Sequence, residues 1–381
     1  MKIGVPKELI ADEMRLAISP DSIKKYMNMG FDVVVETGAG LGASFSDKRL
    51  SEAGASIASD QQKMIKDSDV ILKVRGPDSK SGDNLKYYDN TNIVVANFSA
   101  LSNKDRLNEF AETGVTAFAM DLMPRITRAQ SMDILSSQSN LAGYKAVLDA
   151  AGELGRAYPM MMTAAGTIPP AKIFIMGVGV AGLQAIATAK RMGAVVTATD
   201  VRPATKEQVE SLGGKFLEVD SEMEKNAQTE GGYAKEMPKE YFEKQKQVVA
   251  EHIKKQDVVI TTALIPGRPA PILITEEMVA SMRDGSIIVD MAVEAGGNCP
   301  LSELGEVVKV GGVTILGHSN IPSRIAEDAS QLYAKNLLNF ITPIVNSESK
   351  SISIDWEDEI IAGTLICKDG KIVHPALIEE K

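Results

Sequence analysis

The sequence predicts an α/β fold: two doubly wound α/β domains joined by two long helices. Three observations predict it. Short β-branched runs alternate with helical stretches through the first third of the chain. A second alternating series follows, opened by a glycine-rich strand–turn–helix at 172–200. Two long helical stretches, about 128–157 and 323–345, flank that second series. Strands alternating with helices imply a largely parallel sheet covered on both faces.

The elements follow in order. "KIGVP", "DVVVE", "DVILKV", "NIVVANF" and "TAFAM" are short, rich in branched residues and bounded by turn signals, so they are strands. Ser19 before Pro20 predicts a helix start, and Gly30 its stop. The stretch 102–114 reads the same way. From Arg128 to Ala157 one long helix is expected, interrupted only by Gly143, Gly152 and Gly155, with Pro159 ending it. "KIFIMG", "AVVTATD", "GKFLEVD", "DVVITTA", "SIIVDMA" and "VTILG" are the strands of the second series. Ser323 to Val345 is a second long helix, and "GTLICKDGKIVH" a terminal hairpin. Residues 1–136 with 325–381 then form a discontinuous first domain, and 137–324 a second. A cleft between domains is where a ligand is expected.

Composition excludes several classes. With 381 residues, 44% of them hydrophobic, the chain needs no staple to bury a core. Cys299 and Cys367 are too few for a disulfide framework and lack metal spacing, which points to the cytoplasm and to no metal. The net charge of −10 argues against nucleic acid. The longest uncharged run, Ile173 to Ala189, approaches the length of a membrane span, but its glycines fit a strand–turn–helix. No direct membrane insertion is expected.

That run holds the strongest motif. A strand leads into Gly177-x-Gly179-x-x-Gly182 and straight into a helix. Gly177 allows the tight turn, Gly179 leaves room for a pyrophosphate, and Gly182 lets helix and strand pack closely. The helix N-terminus, at Val180 and Ala181, turns its N–H groups toward the phosphates. Asp200 ends the next strand, where a carboxylate holds both ribose hydroxyls and repels a 2′-phosphate. This is a Rossmann fold for NAD(H). Arg202, two residues on, could instead meet a 2′-phosphate, but Asp200 lies nearer the ribose. A second glycine run, Gly38 to Ala43, opens no helix, and the next cap signal is Ser46-Asp47, so it is a structural loop. The charged stretch Ser221 to Lys246 is long for a loop in a compact α/β unit, which favours a mobile lid over a solvated loop.

These residues carry a resemblance. The chain holds "KE" with "EMRLAISP", "MPRITRAQSMDILSSQSNLAGY", "MMMTAAGT", "GVGVAGLQAIATAKR", "ATDVR", "GGYAKEM" and "AVEAGGNCP". Over essentially its whole length it resembles the alanine dehydrogenase/transhydrogenase superfamily. Within that superfamily it is most similar to the NAD(H)-binding component of proton-translocating nicotinamide nucleotide transhydrogenases. The block from Met123 is the specific part.

The resemblance implies roles. Arg125, Gln130, Asp133 and Ser136, with Ser131 and Met132 among them, match the residues around the nicotinamide ring and its carboxamide. On a helix, 130, 133 and 136 would share one face. Read from residues alone, the same stretch serves equally as a polar helix bridging two domains. Val201 and Arg202 join Asp200 on the adenosine side; Gly232, Tyr233 and Met237 match the tip of a loop closing over the nucleotide; Gln245 and Leu264 match further contacts.

The resemblance also separates two reactions. Alanine dehydrogenase handles a proton and a carboxylate with an arginine, a lysine and a histidine. Arg15 and Lys73 match the first two, and Asn97, in "VANFSA", stands at the histidine position. Asparagine accepts no proton at neutral pH. Hydride transfer between two nicotinamides needs no acid or base, only proximity and orientation. His252, His318 and His374 lie in unrelated contexts, with His318 nearest a cleft. The implied partners are a second copy of the chain, an NADP(H)-binding domain and a transmembrane subunit, placing it on the inner face of the membrane. An alanine dehydrogenase-like enzyme and a non-catalytic NAD-binding module remain the alternatives.

Overall fold

The computed structural model describes residues 1–220, 223, 237–265, 267–346 and 348–378. The chain divides into two compact units, Met1–Gln138 with Pro322–Lys381, and Ser139–Ile321.

The first unit is built on an eight-stranded sheet. Six strands run parallel in the spatial order Ser56–Ala58, Asp32–Glu36, Lys2–Val5, Val70–Arg75, Ile93–Asn97, Thr116–Ala119. The first strand therefore lies inside the sheet, and the order in which strands are added reverses beside it. The terminal hairpin, Leu365–Lys368 with Lys371–Ile372, extends this sheet by pairing antiparallel to Thr116–Ala119. Its two-residue turn is Asp369-Gly370, both with positive φ (51° and 77°), the geometry an Asp-Gly hairpin favours.

Local chemistry sets the helix starts. Ser19 and Ser22 form a capping box at the head of Pro20–Asn28, and Gly30 takes φ +93° just past its end. The loop from Gly38 is structural: a Cβ on Gly40 would lie 2.3 Å from the Phe45 carbonyl oxygen, so the backbone closes there only on glycine. Ser46 caps Asp47–Glu52, and Asp60 caps Gln61–Lys66 by accepting from the Lys63 N–H at 2.9 Å.

Several expected boundaries shift. The helix expected over 102–114 is Lys104–Ala111, because the chain first makes a 3-10 turn at Ala100–Ser102. The helix expected from Arg128 to Ala157 is a 3-10 segment, Thr127–Met132, followed by an α-helix, Ile134–Glu153. Asp133 makes the break: its backbone is extended and its carboxylate accepts from the Ser136 N–H at 2.9 Å, a helix-starting cap. The expected helix 323–345 is α-helical only over Ala326–Ile341, with 3-10 turns at Ile321–Ile325 and Thr342–Ile344; Pro343 ends the α ladder.

The second unit has a seven-stranded sheet in the spatial order Lys215–Phe216, Val195–Thr199, Lys172–Met176, Val258–Thr261, Ile287–Asp290, Val313–Leu316, Val307–Val310. All neighbours are parallel except the last pair. The six parallel strands follow the doubly wound order of a dinucleotide-binding sheet. Two pieces were not expected from sequence: the antiparallel edge Val307–Val310, and a hairpin of Met161–Thr163 with Gly166–Ile168.

Candidate nucleotide-binding site

In the second unit the chain reverses between Lys172–Met176 and Val258–Thr261, and ligands of such sheets sit beyond the carboxyl ends of the strands at that point. Gly177 is the first residue past the first of these strands. It takes φ +95°, and a Cβ there would lie 2.6 Å from the Thr262 hydroxyl. Gly182 sits against the turn itself, where a Cβ would fall 2.0 Å from the Gly177 carbonyl oxygen. Gly179 differs from both. It caps Val180–Arg191 without a side-chain bond, and a Cβ built on it meets nothing within 4 Å. Two glycines are thus required by the protein's own packing, and the third faces open space beside a helix N-terminus. That is the arrangement a pyrophosphate needs.

Asp200 ends the adjacent strand and ties the turn together. Its Oδ2 accepts from the Val178 N–H at 2.7 Å, and its Oδ1 from the Arg202 N–H at 2.9 Å. The Arg202 side chain also pairs with it, and that fork is the largest cause of a raised guanidinium pKa. Val201 is half-buried and packs on a small cluster formed by Met237 and Tyr241. Met237 is buried beside the start of Lys239–Ile253; Gly232 and Tyr233, with the rest of the expected loop tip, lie outside the described residues. Gln245, on that helix, is half-buried.

Leu264 lies past the strand Val258–Thr261 and is 53% exposed. Two residues that the sequence pattern did not single out fix its loop. The Thr262 hydroxyl donates to the Gly177 carbonyl at 2.9 Å, joining this loop to the glycine turn. Asn298 is fully buried; its amide donates to the carbonyls of Ala263 and Pro271, at 2.9 and 2.8 Å, and its oxygen accepts from the Ala263 N–H at 3.1 Å. Asn298 lies in "GGNCP", but its partners are up to 35 residues away, so no local pattern revealed the role.

In the first unit the predicted nicotinamide cluster separates into parts. Arg125, Gln130 and Ser131 are exposed. Met132 is buried in the main core cluster, so its side chain serves packing. Asp133 and Ser136 are half-buried and bound to each other, with the Ser136 hydroxyl donating to the Asp133 carboxylate at 2.5 Å. The expectation of one helical face carrying 130, 133 and 136 is corrected, since 130 lies on the 3-10 segment and 133 at the break.

The residues of the alternative reaction lie at the corresponding reversal of the first sheet. Arg15 forks onto Glu13 at 2.7 and 2.6 Å and donates to Gln138 at 2.8 Å. Lys73 is almost wholly buried, 3.0 Å from Asp83 and 3.7 Å from Glu8. Burial favours its neutral form, but the two carboxylates outweigh that and raise its pKa. Asn97 spends its side-chain oxygen on its own turn, accepting from the Ser99 N–H at 2.9 Å. His252 is packed edge-on to Phe174 and bonded to Thr197; His374 caps a 3-10 turn. Both are structural.

Known proteins match the whole chain. The family description Alanine dehydrogenase/PNT, N-terminal domain, fits residues 4–142, and Alanine dehydrogenase/PNT, C-terminal domain, fits residues 146–375. The chain is 58% identical over 379 residues to an NAD(P) transhydrogenase subunit alpha chain of Rhodospirillum rubrum, covering 99% of each. It is similar to the crystal structure of transhydrogenase from Sinorhizobium meliloti, with a TM-score of 0.88 at 52% identity over 98% of this chain and 100% of that one. An L-alanine dehydrogenase structure is also similar, with a TM-score of 0.78 at 25% identity, covering 99% of this chain and 98% of that one. With both halves matched and a relative so alike from end to end, the chain belongs to the alanine dehydrogenase/PNT family.

Proposed function

We propose that the chain is the NAD(H)-binding subunit of a proton-translocating nicotinamide nucleotide transhydrogenase, in which hydride passes between NADH and NADP+ held on a partner domain. The observation that carries nucleotide binding is the contrast among the three glycines: Gly177 and Gly182 are closed by neighbours, while Gly179 opens beside the helix N-terminus. Val178 to Gly182 hold the pyrophosphate, and Asp200, with Val201 and Arg202, the adenosine ribose. Leu264 and Gln245 flank the nucleotide. Arg125, Gln130 and the Asp133–Ser136 pair set the nicotinamide. The bound nicotinamide supplies the hydride; the chain binds, orients and excludes water.

Asn97 supports hydride transfer between nucleotides over alanine oxidation. Its oxygen is committed to Ser99, and it cannot take the proton that alanine oxidation releases. The marked similarity to a transhydrogenase subunit, against 25% identity to the alanine dehydrogenase structure, supports the same choice. A non-catalytic NAD-binding module would have no use for residues that orient a nicotinamide ring, the role assigned here to Arg125, Gln130 and the Asp133–Ser136 pair.

The partners follow from the reading. Among the described residues no helix is long and apolar enough to cross a membrane; in the reading proposed here, proton movement belongs to a partner subunit. In this reading a second copy of the chain covers the hairpin at 161–168 and the residue before it, where Met162 and Met160 are 76% and 60% exposed. In the cell the chain would sit on the cytoplasmic face of the membrane through its partner subunits.

The test is hydride transfer between NADH and an NADP+ analogue after the chain is mixed with an NADP-binding partner domain. Transfer only in the mixture, with no NADH formed from alanine and NAD+ by the chain alone, is the expected result. Alanine-dependent NADH formation would replace this reading with the dehydrogenase.

A further inference from the structure

The 3-10 segment Thr127–Met132 carries Gln130, and, as at any helix end, its last carbonyls have no partner along the helix. Two asparagines on Ala326–Ile341 answer one of those carbonyls. The side-chain amides of Asn336 and Asn339 both donate to the Ser131 carbonyl oxygen, each at 2.9 Å. Spaced three apart, they stand one above the other on a single helix face. Together they use both acceptor positions of that oxygen. The oxygen of Asn336 in turn accepts from the Ser137 hydroxyl at 2.7 Å, so one asparagine ties the 3-10 segment to the α-helix that follows it. Farther along, Arg128 reaches the carboxylate of Asp358, the cap of Glu359–Thr364, through two bonds at 2.5 and 3.1 Å.

Core packing alone does not require this arrangement. Met132 and Ala129 already bury the apolar side of the segment. The asparagines add direction: they fix the Ser131–Met132 peptide, one residue past Gln130, and so restrain the turn from which that side chain leaves the backbone. We propose that Asn336 and Asn339 are positioning residues for the nicotinamide, acting through the Ser131 carbonyl on Gln130 and on the Asp133–Ser136 pair. This rests on the reading of Gln130 and Asp133 given above. Neither asparagine belongs to the sequence pattern that carried the resemblance, and each acts across some 200 residues of chain.

The substitutions Asn336→Asp and Asn339→Asp test it. Each keeps the shape and the acceptor but turns a donor into a group that repels the Ser131 carbonyl. In the full chain mixed with an NADP-binding partner domain, the double variant should lose about tenfold or more in the rate of hydride transfer, since a shift near 1 Å in a reacting group can cost on the order of a hundredfold. Its affinity for NADH should change less than about threefold, and its affinity for ADP-ribose, which lacks the ring, should not change. Each single variant keeps one donor and should fall between. An unchanged rate in a folded double variant overturns the proposal, and so does a rate loss fully matched by lost NADH affinity. Should the double variant not fold, Asn339→Asp alone decides, because Asn339 is only half-buried. Gln130→Ala is the parallel control. If it leaves the rate intact, the cluster reading itself fails; if it slows transfer while the asparagine variants do not, only the present inference fails.

Discussion

Arg202 grips Asp200 as a fork, Nε to Oδ1 at 2.8 Å and Nη2 to Oδ2 at 2.7 Å. With the Val178 and Arg202 N–H groups also bound, the carboxylate has four donors on its two oxygens. A ribose hydroxyl that reaches this carboxylate shares it with the Arg202 guanidinium. Asp200→Ala should weaken NADH binding and narrow the gap between NADH and NADPH. Arg202→Ala should widen that gap, because the exposed carboxylate then meets a 2′-phosphate without its counter-ion. Titration of both variants with both nucleotides checks this; Arg202→Ala that narrows the gap would reverse the assignment.

Gly179 and Gly182 should respond oppositely to the same change. Gly179 has φ −80° and open space about it, so Gly179→Ala should fold with wild-type stability and lose NADH affinity, since the methyl group occupies the place of the pyrophosphate. In Gly182→Ala the methyl group meets backbone, the Gly177 carbonyl, and the turn must move. That variant should lose thermal stability as well as affinity. Melting curves paired with NADH titrations separate the two.

Gln130→Asn should slow hydride transfer by one to two orders of magnitude while NADH affinity changes less than roughly tenfold, about 1.4 kcal/mol. Asp133→Ala should add a structural cost, because it removes a helix cap worth about 1 kcal/mol. The measurement is single-turnover transfer alongside equilibrium binding. A binding loss that accounts for the whole rate defect would make the cluster a binding element only.

Acid should weaken the second unit through His252. Burial, with help from Lys255 and Lys172, lowers the imidazole pKa from its ordinary 6.5. The unfolded chain then binds more protons below that value, so stability falls as the pH drops below 6.5 and is level above it. His252→Gln should flatten the slope in thermal melts between about pH 5 and 7. An unchanged slope would place the acid sensitivity elsewhere.

The sequence was most legible where function or geometry leaves a local mark. Strand–turn–helix with three glycines marks the second sheet, and Ser19-Pro20 and Ser46-Asp47 mark helix starts, because caps and turns depend on residues within four positions of one another. The edge strands Ser56–Ala58 and Val307–Val310 were missed because each is three or four residues long and only partly buried, which leaves little periodicity to read. The break at Asp133 was missed although Asp133 and Ser136 signal a cap, since a run of small polar residues also suits a continuous helix.

By itself, then, the sequence determined the fold class and the glycine turn that opens the second sheet, both properties of residues near each other in the chain, while the reading of Asn97 came from a family resemblance. The tertiary structure decided that Asp200 is already held by Arg202 and Val178, that Met132 is core, that Asn298 ties down the loop after Val258–Thr261, and that Asn336 and Asn339 hold the 3-10 segment Thr127–Met132. The physical reason is the same in each case. A hydrogen bond or a buried contact is fixed by which groups the fold brings within about 3 Å, and chain distance carries no information about that.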